Sequence, residues 1–418
     1  MGLRIAMLGT RGVPATFGGI EHHVEEIGSR LAQRGHEVTV YAQRGYVSEV
    51  LDPGAEEYRG MRVVQLDPLP GRGVEAFTHA AAATAVALRE RQEVLHYHAV
   101  GPGLFTPFAR AAWDTVIVQT IHGLDADRAK WGWAPRQALR LGTWLSARVP
   151  HRTITVSQAL DDEYRVRYGR TCVAIPNGIN TRPHREPKLI TEKHGLHGGD
   201  YLLFVGRLVP EKRPDLLIET FARVTDDELK LVVVGGSGDT DEYVDQLHTM
   251  AARDRRVIMP GYTYGPELDE MFSNARLFVQ PSDLEGLPLT LLEAVGAGCN
   301  VVASDIPPHL EIVPEDQPGG RLFAHGDTDA MFDAITRGLA DRSVDSDLPD
   351  TIRATYTWTN CVDALEEVYY ESAAIATRGR RGRPAGIDSV PVGSASVSSA
   401  AVGSAAVSAA WPPPSPSA

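Results

Sequence analysis

Cysteine is scarce: Cys172, Cys299 and Cys361 are the only three in 418 residues. Three thiols at these spacings build neither a disulfide framework nor a zinc site. Aromatic residues make up only 7%. No stretch of about 18 apolar residues occurs, which excludes a helix spanning a bilayer. The chain enters Leu3–Leu8 without the apolar run and cleavage site of a secretory leader, so the expected location is cytoplasmic. Positive charge is in deficit, with 41 Lys and Arg against 54 Asp and Glu, a net charge of −13. An acidic chain of this kind is a poor bulk ligand for nucleic acid, and no nucleic-acid partner is expected. What remains is the composition of a soluble enzyme, 43% hydrophobic and 23% charged, with a mean hydropathy of −0.18. The length suggests two domains at roughly 100–200 residues each.

Short apolar runs alternate with amphipathic stretches. Residues 4–8, 37–42, 63–67, 93–98, 116–120, 153–156 and 173–176 read as strands, and 22–34 and 78–91 as helices. Near residue 180 the pattern restarts. Residues 201–205, 230–234, 257–260, 277–280 and 301–303 read as strands; 214–224, 241–253, 266–275, 290–297 and 329–340 read as helices. The stretch 180–200 between the halves shows little hydrophobic periodicity. Strands separated by helices imply crossover connections and parallel sheets covered on both faces. The expected fold class is α/β, with two doubly wound Rossmann-like domains (1–180 and 181–357) facing a central cleft. A helix over 358–376 follows. The tail 377–418 is an arginine cluster and then Ser, Ala, Val, Gly and Pro, with no charge after Asp388, and is expected to be disordered.

The strongest local signal is Glu285-Gly-Leu-Pro-Leu-Thr-Leu-Leu-Glu293, two glutamates with seven residues between them. Glu285 follows a strand and Glu293 lies a turn into a helix entered near Pro288. The backbone N–H groups of Leu289 and Thr290 are expected to be free at the helix mouth and suited to an anion. Carboxylates on either side of an anion cradle accept hydrogen bonds from hydroxyls on both sides of a diphosphate, the layout of a nucleotide-sugar. Standing alone, the pattern fits a capped surface helix with solvated acids equally well. A second loop, Gly206-Arg207-Leu-Val-Pro-Glu-Lys212, places two fixed cations five residues apart, able to stabilise a departing diphosphate without a metal. Gly235-Gly236-Ser237-Gly238 and Gly9–Gly19 are glycine loops lacking the spacing of a dinucleotide fingerprint. Gly18-Gly19 permits close approach of the backbone to a bulky ligand, and His122 lies just beyond a strand.

Together these pieces resemble glycosyltransferase family 4, the retaining GT-B enzymes, over roughly residues 3–375. The resemblance rests on Gly18-Gly19, His122-Gly123, Ile175-Pro-Asn-Gly178, Gly206-Arg207 with Lys212, the Glu285/Glu293 pair and Trp358 with Tyr369. The first half is similar to rhamnosyltransferase-type N-terminal domains through Gly9-Thr-Arg-Gly-Val-Pro-Ala, Phe17-Gly-Gly-Ile-Glu21 and Arg128-Ala-Lys-Trp131. It implies a donor diphosphate held by Arg207, Lys212 and the backbone at Leu289–Thr290, with Gly206 allowing close approach. It further implies ribose hydroxyls on Glu293, sugar hydroxyls on Glu285, His122 at the reacting side of the sugar, and Gly18-Gly19 closing over the phosphates or acceptor. The 358–376 helix is implied to pack back on the first domain. No cofactor and no metal are expected beyond the nucleotide-diphosphate-sugar co-substrate. The sequence departs from the family where Gly235-Gly236-Ser237 replaces an often acidic loop and where Ile121-His122 replaces a frequent valine-aspartate pair.

The expected function is therefore transfer of a hexose-type sugar, with retention, to a hydroxyl of a saccharide, lipid-linked or small-molecule acceptor, in polysaccharide or glycoconjugate biosynthesis. The alternatives are a nucleotide-sugar epimerase or glycoside phosphorylase on the same fold, or a non-catalytic nucleotide-sugar-binding protein. The segment 128–152 carries Arg128, Lys130, Arg136, Arg140, Arg148 and Arg152 beside Trp131, Trp133 and Trp144. It reads either as a surface for peripheral contact with an anionic membrane, where lipid-linked acceptors reside, or as tryptophans packed into the first domain beneath a solvated basic face.

Overall fold

The computed structural model describes residues 2–16, 18–47, 56–71, 73–112, 115–124, 132–236, 241–341 and 346–381. Phe17, Arg128, Lys130, Trp131, Ser237, Gly238 and tail residues 382–418, all singled out above, lie outside the described residues. The chain builds two parallel-sheet Rossmann-like domains. The first sheet contains β1 (Arg4–Leu8), β2 (Glu37–Gln43), β3 (Glu57–Tyr58), β4 (Met61–Leu66), β5 (Val94–His98), β6 (Val116–Ile121), β7 (Arg152–Thr155) and β8 (Val173–Ala174). The second contains β9 (Tyr201–Val205), β10 (Lys230–Val234), β11 (Val257–Gly261), β12 (Leu277–Gln280), β13 (Val301–Ser304) and β14 (Gly320–Phe323).

The first sheet has the order β3-β4-β2-β1-β5-β6-β7-β8, parallel except for the β3–β4 pair. The second has the order β11-β10-β9-β12-β13-β14 and is parallel throughout. Each sheet reverses its winding once, between β1 and β5 and between β9 and β12. Ligands of doubly wound sheets bind beyond the strand carboxyl ends at that reversal. The β9, β10 and β12 runs are almost wholly apolar and buried because helices cover both faces.

Several elements escape the sequence reading. The helix Gln158–Tyr168 has weak periodicity, yet its ends are signalled: the Ser157 hydroxyl accepts from Leu160 N at 3.3 Å, and Gly169 ends the helix in left-handed conformation. Leu189–His194, inside the stretch read as aperiodic, is a six-residue helix and too short to show a period. The helices Thr106–Ala112 and Leu348–Thr355 and the strand β14 are likewise short. The helix read over 78–91 begins earlier, at Val74, behind the left-handed Gly73.

The helix Trp358–Arg381 leaves the second domain and completes the core of the first. Trp358, Cys361, Val362, Leu365, Val368 and Tyr369 pack with Ile5, Val24 and Ile27. The Tyr369 hydroxyl lies 2.7 Å from His96 Nδ1, and Glu366 receives His36 at 2.7 Å and pairs with Arg34.

A second tie runs the other way. Glu311 of the second domain accepts from Ala159 N at 2.6 Å and Gln158 N at 3.1 Å, capping the helix Gln158–Tyr168 of the first. Burial pushes the Glu311 carboxyl up to about 7, outweighing these two donors, which act to lower it. A carboxyl whose folded pKa lies above its ordinary 4.5 contributes most stability below pH 4.5 and loses it as pH rises toward 7. Wild type should therefore lose about 2–3 kcal/mol relative to Glu311→Gln between pH 4.5 and 7. Denaturant titrations of both proteins across that range check this, and parallel curves would refute it.

Candidate functional site

The reversal points of the two sheets bring together the loops that the sequence singles out. In the second domain Gly206 ends β9, and its N–H donates to Val234 O at 3.0 Å. Gly235, at φ 146, is packed so closely beneath it that a Cβ would lie 3.0 Å from the Gly206 carbonyl carbon. The chain then passes Arg207 and turns through a short 3₁₀ segment, Pro210–Lys212. Lys212 Nζ reaches Glu285 Oε1 at 2.6 Å, with the two side chains only 12% and 10% exposed. The same oxygen accepts from Ser282 Oγ at 2.8 Å and from Gln280 Nε2 at 2.9 Å. Burial alone would raise the Glu285 carboxyl. The adjoining Lys212 ammonium, with help from Ser282, more than offsets this and holds it below the ordinary carboxylate range. The pair is thus a fixed, ionised dipole rather than two mobile surface charges.

The helix after Glu285 runs from Leu289 to Gly296, one residue later than a start at Pro288, which instead occupies the cap position. Leu291 N is the first amide bonded back to Pro288 O, at 3.1 Å, so the N–H groups of Leu289 and Thr290 precede the helical ladder. Thr290 Oγ1 donates to Gln280 Oε1 at 3.2 Å, locking the amide that supports Glu285.

Glu293 does not join this cluster. Its carboxylate meets Arg182 Nη2 at 3.2 Å, and Arg182 Nη1 bonds Asp269 at 2.9 Å while the guanidinium lies over the Phe272 ring. Burial works against the charge of Arg182, and the Glu293 and Asp269 carboxylates more than compensate. Glu293 lines a cavity with Ile179, Asn180, Thr181, Arg182 and Thr357.

The first domain closes over these loops. Gly18, at φ 103, precedes the helix Gly19–Gln33, and Gly19 faces Leu289 across the cleft. His122, just past β6, is half-buried, and its backbone abuts Gly286: a Cβ there would lie 2.7 Å from the His122 carbonyl carbon. His122 Nε2 is 3.3 Å from His98 Nδ1. Burial, with His23 and His96 nearby, holds His122 well below the ordinary imidazole value, so it is neutral at pH 7.

Sequence pattern alone does not point to Gln280, Ser282, Arg182, His98 or His23. Gln280 and Ser282 carried one usable signal, polar side chains at the carboxyl end of an apolar strand. His309, fully buried, bonds Ser304 O at 2.9 Å through Nδ1, and burial pushes it down to about 4.

Comparison with known proteins bears on the family and the fold. Residues 17–182 match the family described as Glycosyltransferase Family 4, and residues 188–355 match Glycosyl transferases group 1. A D-inositol 3-phosphate glycosyltransferase of Geodermatophilus obscurus is 30% identical over 392 residues, covering 85% of each chain. An uncharacterized glycosyltransferase of Methanocaldococcus jannaschii is 24% identical over 88% of this chain and 98% of its own. Among solved structures, sucrose-phosphate synthase of Thermosynechococcus elongatus superposes with a TM-score of 0.74 at 21% identity, covering 89% of this chain and 99% of its own. Anabaena HepE in complex with UDP and glucose gives 0.72 at 18%, covering 88% and 100%. With both halves matched in order and a relative alike across nearly the full length, the chain belongs to glycosyltransferase family 4 and is a glycosyltransferase of the GT-B fold.

Proposed function

We propose that the protein is a retaining glycosyltransferase that moves a hexose-type sugar from a nucleotide-diphosphate-sugar to a hydroxyl of a saccharide or lipid-linked acceptor, in polysaccharide or glycoconjugate assembly. The observation that carries this reading is the buried Lys212–Glu285 pair at the β9/β12 reversal, with the next residue, Gly286, against the His122 backbone of the first domain. Arg207, Lys212 and the amides of Leu289 and Thr290 receive the diphosphate, and Glu285 orients sugar hydroxyls. The leaving phosphate takes the acceptor's proton on the same face as attack, so configuration is kept. The protein contributes preorganised charge and position and needs no metal for the step. Glu293 exchanges Arg182 for the ribose hydroxyls when donor binds. Closure excludes water and limits hydrolysis.

A thermal-shift panel of UDP-, GDP-, dTDP- and ADP-sugars tests the donor site. One base at 100 times its dissociation constant should stabilise wild type by about 2.7 kcal/mol, and Arg207→Ala and Glu293→Ala much less. No response to any nucleotide, or equal responses in the variants, would refute the assignment. Product NMR then reads the anomeric configuration.

The acceptor side of the reading includes a peripheral contact with an anionic membrane. The helix Trp133–Ser146 buries Gly142, Thr143 and Ser146 and turns Trp133 and Trp144 outward, 78% and 45% exposed, so the alternative of packed tryptophans does not hold for these two. Leu141, Phe108 and Phe77 are also exposed on this and neighbouring elements, and Arg148 lies over the Trp144 ring. Aromatic side chains interleaved with arginines fit a headgroup layer. Binding to anionic vesicles should weaken with salt and fall at least tenfold when Arg136, Arg140 and Arg148 are neutralised together, at about 1 kcal/mol each. Unchanged partitioning would sink the idea. Among the described residues no helix is long and apolar enough to cross a membrane.

A further inference from the structure

Three histidines converge behind the cleft from separate elements: His23 on the helix Gly19–Gln33, His98 at the end of β5 and His122 just past β6. Their ring centroids lie 4.8 Å apart for His23 and His122, 5.4 Å for His23 and His98, and 5.5 Å for His98 and His122. One ring nitrogen from each lies within 4.8 Å of the other two. The closest pair, His98 Nδ1 and His122 Nε2, is 3.3 Å apart. That matches the edge of a tetrahedron, about 3.4 Å, around an ion with Zn–N bonds of about 2.0–2.1 Å.

Within the trio His98 Nδ1 and His122 Nε2 have only each other as partners among its facing nitrogens, while His23 Nε2 has none. His23 Nδ1 is 2.7 Å from Asn177 Oδ1, and with that oxygen accepting, the ring carries its proton on Nδ1 and its lone pair on Nε2. His23 Nε2 is buried without a partner, and so is His98 Nε2. A carbonyl-type acceptor on the far nitrogen is the arrangement that orients a histidine toward a metal. His96, its ring centroid 4.2 Å from that of His98 in a tilted arrangement, shows the contrast: its two nitrogens bond Tyr369 and Thr120, both at 2.7 Å, and it has none to spare.

We propose that His23, His98 and His122 bind a divalent first-row transition ion, with Zn²⁺ the ion that three neutral imidazoles and an open fourth position fit best. Half-buried His122 provides the entry from the cleft, where water completes the coordination. Binding needs the widest nitrogen pair to close by about 1.4 Å to reach the tetrahedral edge, a movement of the imidazoles within their rotamers. The ion plays no part in transfer. It pins His122, and transfer falls when the site is filled. That consequence rests on the proposed function, whereas ion binding does not.

The test uses the full chain stripped with a chelator. Co²⁺ should produce the intense visible bands of a tetrahedral site, and Zn²⁺ should displace it at one ion per chain and raise the melting temperature. In competition with a chromophoric chelator, His98→Gln and His23→Gln should each lower Zn²⁺ affinity at least tenfold. His184→Gln, at an exposed histidine, should not. Zn²⁺ should inhibit transfer by wild type and a chelator should restore it. Absence of the Co²⁺ bands in wild type overturns the proposal whether or not the variants fold, and so does wild-type Zn²⁺ affinity in the folded His98→Gln and His23→Gln proteins. Zn²⁺ binding with transfer unaffected overturns the placement of His122 at the sugar and leaves the metal site standing.

Discussion

Lys212→Ala is expected to lower kcat/KM for glycosyl transfer by about 10³-fold, the effect of removing one preorganised charge from a transition state. It should also destabilise the protein by about 3 kcal/mol, because Glu285 is left buried without its counter-charge. The two effects have one origin. In the proposed function Lys212 is the cation aimed at the departing diphosphate, and in the structure it keeps Glu285 ionised. A carboxyl whose folded pKa is depressed stabilises the fold above its ordinary value and loses that contribution as pH falls through the folded pKa. Without Lys212, burial dominates and the Glu285 pKa rises, so the acid limb of the rate profile should move to higher pH. Lys212→Arg keeps the charge and should recover stability more fully than rate, since a planar fork does not reproduce a point charge. Denaturant midpoints and pH–rate profiles of the three proteins decide the matter. An alanine variant within tenfold of wild type would remove Lys212 from the chemistry.

Gly286→Ala should lower kcat by about 10²-fold while donor-induced thermal stabilisation stays near wild type. The added methyl meets the backbone carbonyl of His122, which belongs to the other domain and has no rotamer by which to move aside. The cleft must then stay open by a fraction of an ångström or more. Donor contacts made by the second domain alone survive this, while contacts that need both domains do not. Comparing kcat and KM with the donor thermal shift separates the two cases. A variant that loses donor binding but keeps kcat would show that Gly286 serves the donor loop and not closure.

The contrast between Glu285 and Glu293 shows how far sequence reading reaches. Both were found from spacing, and both lie where a strand–loop–helix reading puts them. Their partners come from distant positions: Lys212 is 73 residues from Glu285, and Arg182 reaches Glu293 from the segment joining the domains. Nothing in local pattern could pair them. The histidine trio is further out of reach, because His23, His98 and His122 share no motif and meet only when β1, β5 and β6 lie side by side. Helices with weak periods, such as Gln158–Tyr168, were legible only at their caps.

By itself the sequence determined the α/β class, the twofold repeat of the winding and the loops at the strand ends, because apolar runs and breaker residues are local properties that hold in any context. The tertiary structure alone decided which charges are buried together and that His122 touches Gly286, while the packing of the helix Trp358–Arg381 on the first domain's core was implied by the family resemblance and by no local pattern. Those facts depend on strand order and on how two domains face each other, and energies of burial and ion pairing exist only between groups that the fold has already brought into contact.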